Sequence, residues 1–331
     1  MTLSRRTLLR SLASTGALGA AGAAPRAWAQ DAFPARPIKV VIPFPAGSVG
    51  DVLMRAVQVR TADTPYNFVI DNKPGGNTFI AMGIVANSPP DGYTMVGSTI
   101  STDVINPMIY NKLPYDPSGL VPLSLLGYSP YVVVVPAEFQ ANTLAELVAM
   151  AKAKPGSLNF GSAGIGNSTH LVTEKLMRDA GIKLTHVPFN GAQPVHQALM
   201  RGDVQVYSDV LTSALPHVRS GKFKLLAITS DKRHPTVPNV PTMIESGFPD
   251  FVLTAWYGLQ VPRRTPQDVI DKLSKVLDKA MTDPSMLAEF DKRGMVIFPQ
   301  SGPKAHAQMI ALDRERWGSV IKSLNLKLES S

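Results

Sequence analysis

Short runs rich in Val, Ile, Leu and aromatic residues recur along the chain, and amphipathic stretches separate them. The runs at 38–44, 68–71, 94–98, 131–135, 158–161, 204–207, 225–229 and 252–261 predict strands. Several are continuously apolar, as in the valines at 132–135, a pattern that suits strands buried on both faces. Between the runs, Thr143 with Glu146 forms a capping box that opens a helix stopping at Pro155 and Gly156. Thr265 and Pro266 open another, with Pro266 at the first helical position. Its apolar face carries Val269, Leu273, Val276 and Leu277. This alternation predicts an α/β fold of mostly parallel sheets flanked by helices. The long strands near 131 and 256 divide the chain into one lobe begun at 30–135, a second lobe at 136–252, and a return segment at 253–331. Two crossings make a hinge, and a hinged pair of lobes holds its ligand between them.

Composition narrows the class. Hydrophobic residues are 44% and charged residues 18%, the balance of a globular chain. The absence of cysteine excludes disulfides, thiolate metal sites, cysteine nucleophiles and a cysteine-borne lipid anchor. A net charge of +8 invites a nucleic-acid reading. Four of those charges, Arg5, Arg6, Arg10 and Arg26, lie in the first 30 residues, where there is no acid. That segment reads as an export signal, with a basic start, an uncharged stretch at 11–25, and Ala27 and Ala29 placed for cleavage before Gln30. Residues 1–29 are therefore expected to be removed, leaving a net charge of +4. The uncharged stretch is shorter than the ~20 residues that a spanning helix needs. Arg5 and Arg6, followed by Leu8 and Leu9, predict twin-arginine export; an ordinary signal with two arginines is the alternative. An exported, unanchored chain points to the periplasm. The basic residues at 222–224 and 232–234 lack interleaved aromatics, so no nucleic-acid partner is expected.

Two loops could carry chemistry. The first strand runs into Pro45, Ala46, Gly47, Ser48, Val49, Gly50 and Asp51 before a helical pattern. Small residues there let N–H groups converge at a helix N-terminus, an anion site in waiting. The plainer reading is a tight turn with Asp51 as a cap. The strand at 158–161 runs into a similar loop, with Ser162, Ala163, Gly164, Asn167, Ser168, Thr169 and His170. Together the loops could clamp a small anion without any Lys or Arg. Asp209 follows the strand at 204–207, where α/β ligand sites form. It could hold a ligand amine or hydroxyl, or simply be a solvated turn acid. If Asp51 and Asp209 both face the cleft, a polyanion such as citrate is disfavoured and a monocarboxylate is favoured. Neither the dinucleotide fingerprint nor a P-loop, a nucleophile elbow or a zinc-binding H-E-x-x-H is present. No cofactor or metal is expected. The competing enzyme reading is a secreted serine hydrolase using Ser162 or Ser168 with His170.

In these pieces the sequence resembles the substrate-binding proteins of tripartite tricarboxylate transporters, the Bug family. The matching pieces include Pro37-Ile38, the run from Val41 to Gly47, the run from Asp71 to Asn77, and Pro90 to Thr94. Further pieces are Leu113 to Asp116, Asn159 to Ser162, His186 to Gly191, Leu215 to His217, Val240 to Thr242 and Trp256 to Leu259. Their order spans nearly the whole chain beyond the signal. The resemblance implies a two-lobed, type II Venus-flytrap binding protein and no enzymatic turnover. It implies a small organic acid as ligand, a membrane permease as partner and a monomeric receptor; a ligand sensor for a membrane signalling protein is the alternative. It places ligand contacts at Phe44, Pro45, Ala46, Gly47, Ser48 and Asp51, with Ser98 and Thr99 as further candidates. On the other side it places them at Gly161, Ser162, Ala163, Gly164, Asn167, Ser168, Thr169 and His170, then at Asn190, Gly191, Ala192 and Asp209. Two departures bear on the ligand. Val49 and Gly50 replace the usual small and hydroxyl-bearing residues of the first loop, and the loop at 72–78 is one residue short.

Overall fold

The computed structural model describes residues 33–298 and 301–329. The expected signal and its cleavage point lie outside these residues. The strands are β1 (Ile38–Ile42), β2 (Phe68–Asn72), β3 (Thr94–Thr99), β4 (Leu120–Pro136), β5 (Asn159–Ser162), β6 (Thr185–Pro188), β7 (Val206–Val210), β8 (Phe223–Ile228), β9 (Thr254–Pro262) and β10 (Val296–Ile297). The helices used below are α1 (Val49–Arg60), α2 (Phe79–Ala86), α3 (Asn106–Ile109), α4 (Leu144–Ala153), α5 (Ser168–Ala180), α6 (Ala192–Arg201), α7 (Leu211–Arg219), α8 (Gln267–Met281), α9 (Pro284–Asp291) and α10 (Pro303–Leu324). Among the described residues no helix is long and apolar enough to cross a membrane.

The strands form two groups that share β4. In the first, β2, β1 and β3 are parallel, and β9 joins β3 to β4 with antiparallel pairing on both sides. In the second, β6, β5 and β7 are parallel, while β7 and β8 meet β4 antiparallel. Each lobe is thus mixed, parallel over three strands, where mostly parallel sheets were expected. Pairing changes hands within β4: Pro130 is the last partner of β9, and Tyr131 is the first partner of β7. The expected division at 135 therefore falls inside the second group. Each group has its own core. One holds Val41, Phe79, Met82 and Val96; the other holds Val132, Val195, Leu199 and Tyr207.

The caps show why the elements begin where they do. Thr143 Oγ1 accepts the Glu146 N–H at 3.2 Å, and Glu146 reaches back to the N–H of Asn142 at 2.6 Å, one residue before the usual capping-box partner. Helix α8 starts at Gln267, so Pro266 is its N-cap and not its first turn. On its face Val269, Leu273 and Leu277 are buried, Ile270 joins them, and Val276 is half-exposed. The first half of β4 was not legible in the sequence because Pro122, Gly127 and Pro130 interrupt it. It survives there because β4 pairs irregularly with β9 around Pro122 and Gly127, and Pro130 is the last residue it pairs with β9. Strand β6 is half-exposed and ends in proline, which hides it from a reading based on apolar runs.

Candidate functional site

The four helices α1, α5, α6 and α7 begin at one cavity of about 70 Å³ between the lobes. Phe44, Tyr207, Trp256 and Tyr257 give it aromatic walls. Among the described residues no Lys, Arg or His lines it. Each helix start presents N–H groups without intrahelical acceptors and carries partial positive charge.

In the first loop, Gly47 takes a left-handed φ of 79°, and its N–H donates to Asp51 at 2.9 Å. Arg55 grips the same carboxylate with Nε at 2.9 Å and a second nitrogen at 3.0 Å. Asp51 is consequently a loop brace and does not reach the cavity, which corrects the expectation that it faces the cleft. Burial opposes its ionisation, but the hydrogen bonds from Arg55 and Gly47 hold the carboxyl below its ordinary range. The Ser48 hydroxyl caps nothing and is buried without a partner against the cavity. The N–H groups of Val49 and Gly50 have no acceptor among the described residues.

The second loop is held by its own side chains. Asn167 caps α5 through the Thr169 N–H at 3.1 Å, and Thr169 Oγ1 accepts the Ala163 N–H at 3.0 Å. His170 Nδ1 accepts the Gly166 N–H at 3.1 Å, and its Nε2 faces Glu174 at 3.3 Å. Both ring nitrogens are therefore engaged away from Ser162 and Ser168. Ser162 instead meets His186 Nε2 at 2.6 Å and donates to the Gly164 carbonyl at 3.1 Å. That arrangement assigns the His186 Nε2–H as donor to Ser162, so His186 is not a base for that hydroxyl. Burial, reinforced by the stacked His170 at 4.0 Å, lowers the His186 pKa to about 3. The hydrolase pairing of Ser162 or Ser168 with His170 does not form.

Asp209 closes the cavity floor. It is 1% exposed, accepts the Val210 N–H at 2.8 Å and lies 2.6 Å from His196 Nε2. His196 Nδ1 is buried with no partner among the described residues, so it is the bare ring nitrogen, and Nε2–H donates to the carboxylate. The Tyr207 side chain, also on the cavity and fully buried, turns its hydroxyl toward Thr169 and Asp209.

Of the residues the sequence proposed, Phe44, Ser48 and Thr99 line the cavity from the first lobe. Ala163, Asn167, Ser168, Thr169, Ala192 and Asp209 line it from the second. Pro45, Gly164, Asn190 and Gly191 line a larger outer cavity of about 520 Å³, which shares Phe44 and Ala163 with the inner one. Ala46, Gly47, Asp51, Ser98, Gly161, Ser162 and His170 line neither. Ser98 instead faces His306 Nε2 at 3.4 Å, and a side chain on Gly161 would collide with Val195. Sequence reasoning missed Ser101, Tyr207, Ser213, Trp256 and Tyr257 as lining residues. Only the Trp256-Tyr257 pair stood inside a singled-out motif.

Two mixed-sheet lobes sharing crossing strands, with helix N-termini gathered on a cavity between them, define a two-lobed solute-binding protein. The sequence matches the tripartite tricarboxylate transporter family receptor over residues 55–326, and the chain belongs to that family. BugT of Bordetella pertussis is 30% identical over 302 residues, covering 90% of this chain and 92% of its own. MatC from Rhodopseudomonas palustris, solved with bound malate, superposes with a TM-score of 0.83 at 31% identity, covering 87% of this chain and 100% of its own. An R. palustris protein solved with adipate gives a TM-score of 0.85 at 28% identity, covering 89% and 99%. The chain is accordingly a receptor and not an enzyme.

Proposed function

We propose that this chain is a periplasmic receptor that closes on a small organic carboxylate and delivers it to a membrane permease of the tripartite tricarboxylate type. The observation that carries this reading is the meeting of four helix N-termini on the cavity between the lobes. There, among the described residues, the N–H groups of Val49 and Gly50 and the hydroxyl of Ser48 are left without partners. An anion supplies the acceptors these donors lack. The likeness to proteins holding malate and adipate supports the same class of ligand. One lobe runs to Pro130 and takes in the return segment at 253–331, the other runs from Tyr131 to 252, and the hinge lies where β4 passes from β9 to β7. Export through the signal at 1–29 delivers the mature chain, beginning at Gln30, to the periplasm as a monomer.

A thermal-shift screen of mono- and dicarboxylates, amino acids and aromatic acids tests the reading. A cognate ligand at ~100 times its Kd adds ~2.7 kcal/mol of stability. Melting curves unmoved across the whole panel would overturn carboxylate capture.

A further inference from the structure

The last described residues of the chain return to the cleft. Beyond α10, Asn325 takes a left-handed φ of 48° and turns residues 326–329 onto the end of α3. The Leu328 N–H donates to the Ile109 carbonyl at 2.8 Å, the Asn111 N–H donates to the Leu328 carbonyl at 3.1 Å, and Lys327 Nζ donates to the Met108 carbonyl at 3.0 Å. These bonds straddle Tyr110 and hold its backbone extended. Its ring stands edge-on to Phe79 at 4.9 Å. Its hydroxyl accepts from Asn77 Nδ2 at 3.3 Å, and its own proton goes to the Ile165 carbonyl of the other lobe at 3.1 Å. The same surface receives Gly166, where a Cβ would lie 3.1 Å from Leu328 Cδ1 and 3.5 Å from the Tyr110 hydroxyl. Tyr110 and Leu328 line the outer cavity from one lobe and Ile165 from the other, so the Tyr110–Ile165 bond ties its two walls together.

We propose that Tyr110 is a positioning residue for ligand capture, a latch between the lobes that the strap at 326–329 holds in place. Its bond to Ile165 and the Gly166 contact exist only with the lobes together, so they stabilise the closed state and add nothing to the open one. Release has to break them, whereas entry into an open cleft does not. The latch therefore acts on the rate of release. This rests on the reading of the chain as a receptor that closes on its ligand.

Stopped-flow titration with malate and adipate, the acids held by the similar solved proteins, tests it. The parent is compared with Tyr110→Phe, with a chain ending at Asn325, and with the two changes combined. Tyr110→Phe leaves Asn77 Nδ2 its bond to Asn106 Oδ1 at 2.9 Å, so the first lobe keeps its own contacts. It is expected to release either acid about three- to tenfold faster, the range for one lost hydrogen bond, with association within about twofold of the parent. The shortened chain should release at least as fast, and adding Tyr110→Phe to it should change release by less than about twofold, because the strap acts through Tyr110. Release unchanged in Tyr110→Phe would overturn the latch. Effects that multiply in the combined variant would overturn its seating by the strap. Hydrogen exchange of the Ser168 amide reads closure with no ligand added, because its acceptor, Ser101 Oγ, lies in the other lobe at 3.1 Å. That exchange should quicken about threefold or more in both single variants. If neither acid binds, unchanged exchange overturns the latch; quickened exchange upholds it and counts against carboxylate capture alone.

Discussion

The main-chain N–H of Ser168 donates to the hydroxyl of Ser101 at 3.1 Å, across the cleft between the lobes. Ser168 opens α5, so the first lobe supplies an acceptor to a helix end of the second. Nearby, Gly166 packs against Ile109 so closely that a Cβ would lie 2.4 Å from the isoleucine Cδ1. Closure of the cleft depends on such near-contacts.

Gly166→Ala is therefore expected to hold the lobes apart. Its φ of 75° adds about 1 kcal/mol of backbone strain, and the new methyl collides with Ile109. Affinity for the best carboxylate of a screen should fall at least about tenfold, because closure completes the site. Adding Ile109→Ala should restore part of it. Unchanged affinity in Gly166→Ala would show that the contact is not needed for closure.

His196→Leu strips the Asp209 carboxylate of its Nε2–H donor inside a dry interior. Urea unfolding should show a loss of about 1–3 kcal/mol, the cost of leaving a buried acceptor under-satisfied. A stability equal to that of the parent would mean that water reaches Asp209.

The His186 ring makes stability depend on pH. Its folded pKa, lowered to about 3, lies below its ordinary value of 6.5. The unfolded chain therefore takes up the proton first as pH falls. The stability contributed is full above pH ~6.5 and drains as pH falls toward the folded value. Between pH 7 and 4 the urea midpoint of the parent should drop more steeply than that of His186→Asn. Parallel slopes would contradict a neutral, half-buried ring.

Affinity should respond little to salt. With no Lys or Arg on either cavity among the described residues, capture rests on hydrogen bonds and helix ends close to the ligand, which mobile ions screen weakly. Titrations at 20 and 300 mM salt should agree within about twofold. A steep decline would reveal a cation acting on the ligand from beyond the cavity walls.

The valine run of β4, the Thr143 capping box and the glycine-bearing loops at 43–51 and 161–168 carried their structure in local pattern, which is why strands, helices and loop positions could be read from the sequence. Burial on both faces, a hydroxyl three residues before a glutamate, and small residues after a strand each fix backbone geometry within a few residues. The direction of a polar side chain is not fixed in that way. Asp51 turned to Arg55, His170 turned to Gly166 and Glu174, and Ser162 found His186, because each partner satisfied a buried polar group better than the cleft could. His196 became the partner of Asp209 only when β7 and α6 packed together, and Trp256 and Tyr257 reached the cavity only through the return crossing of β9. The sequence by itself determined the α/β alternation and the two anion-ready loops. The tertiary structure decided which polar groups face the ligand: Asp51 and His170 are held by neighbours four positions away, but Asp209 and Ser162 depend on partners 13 and 24 positions away that only packing brings within hydrogen-bond range.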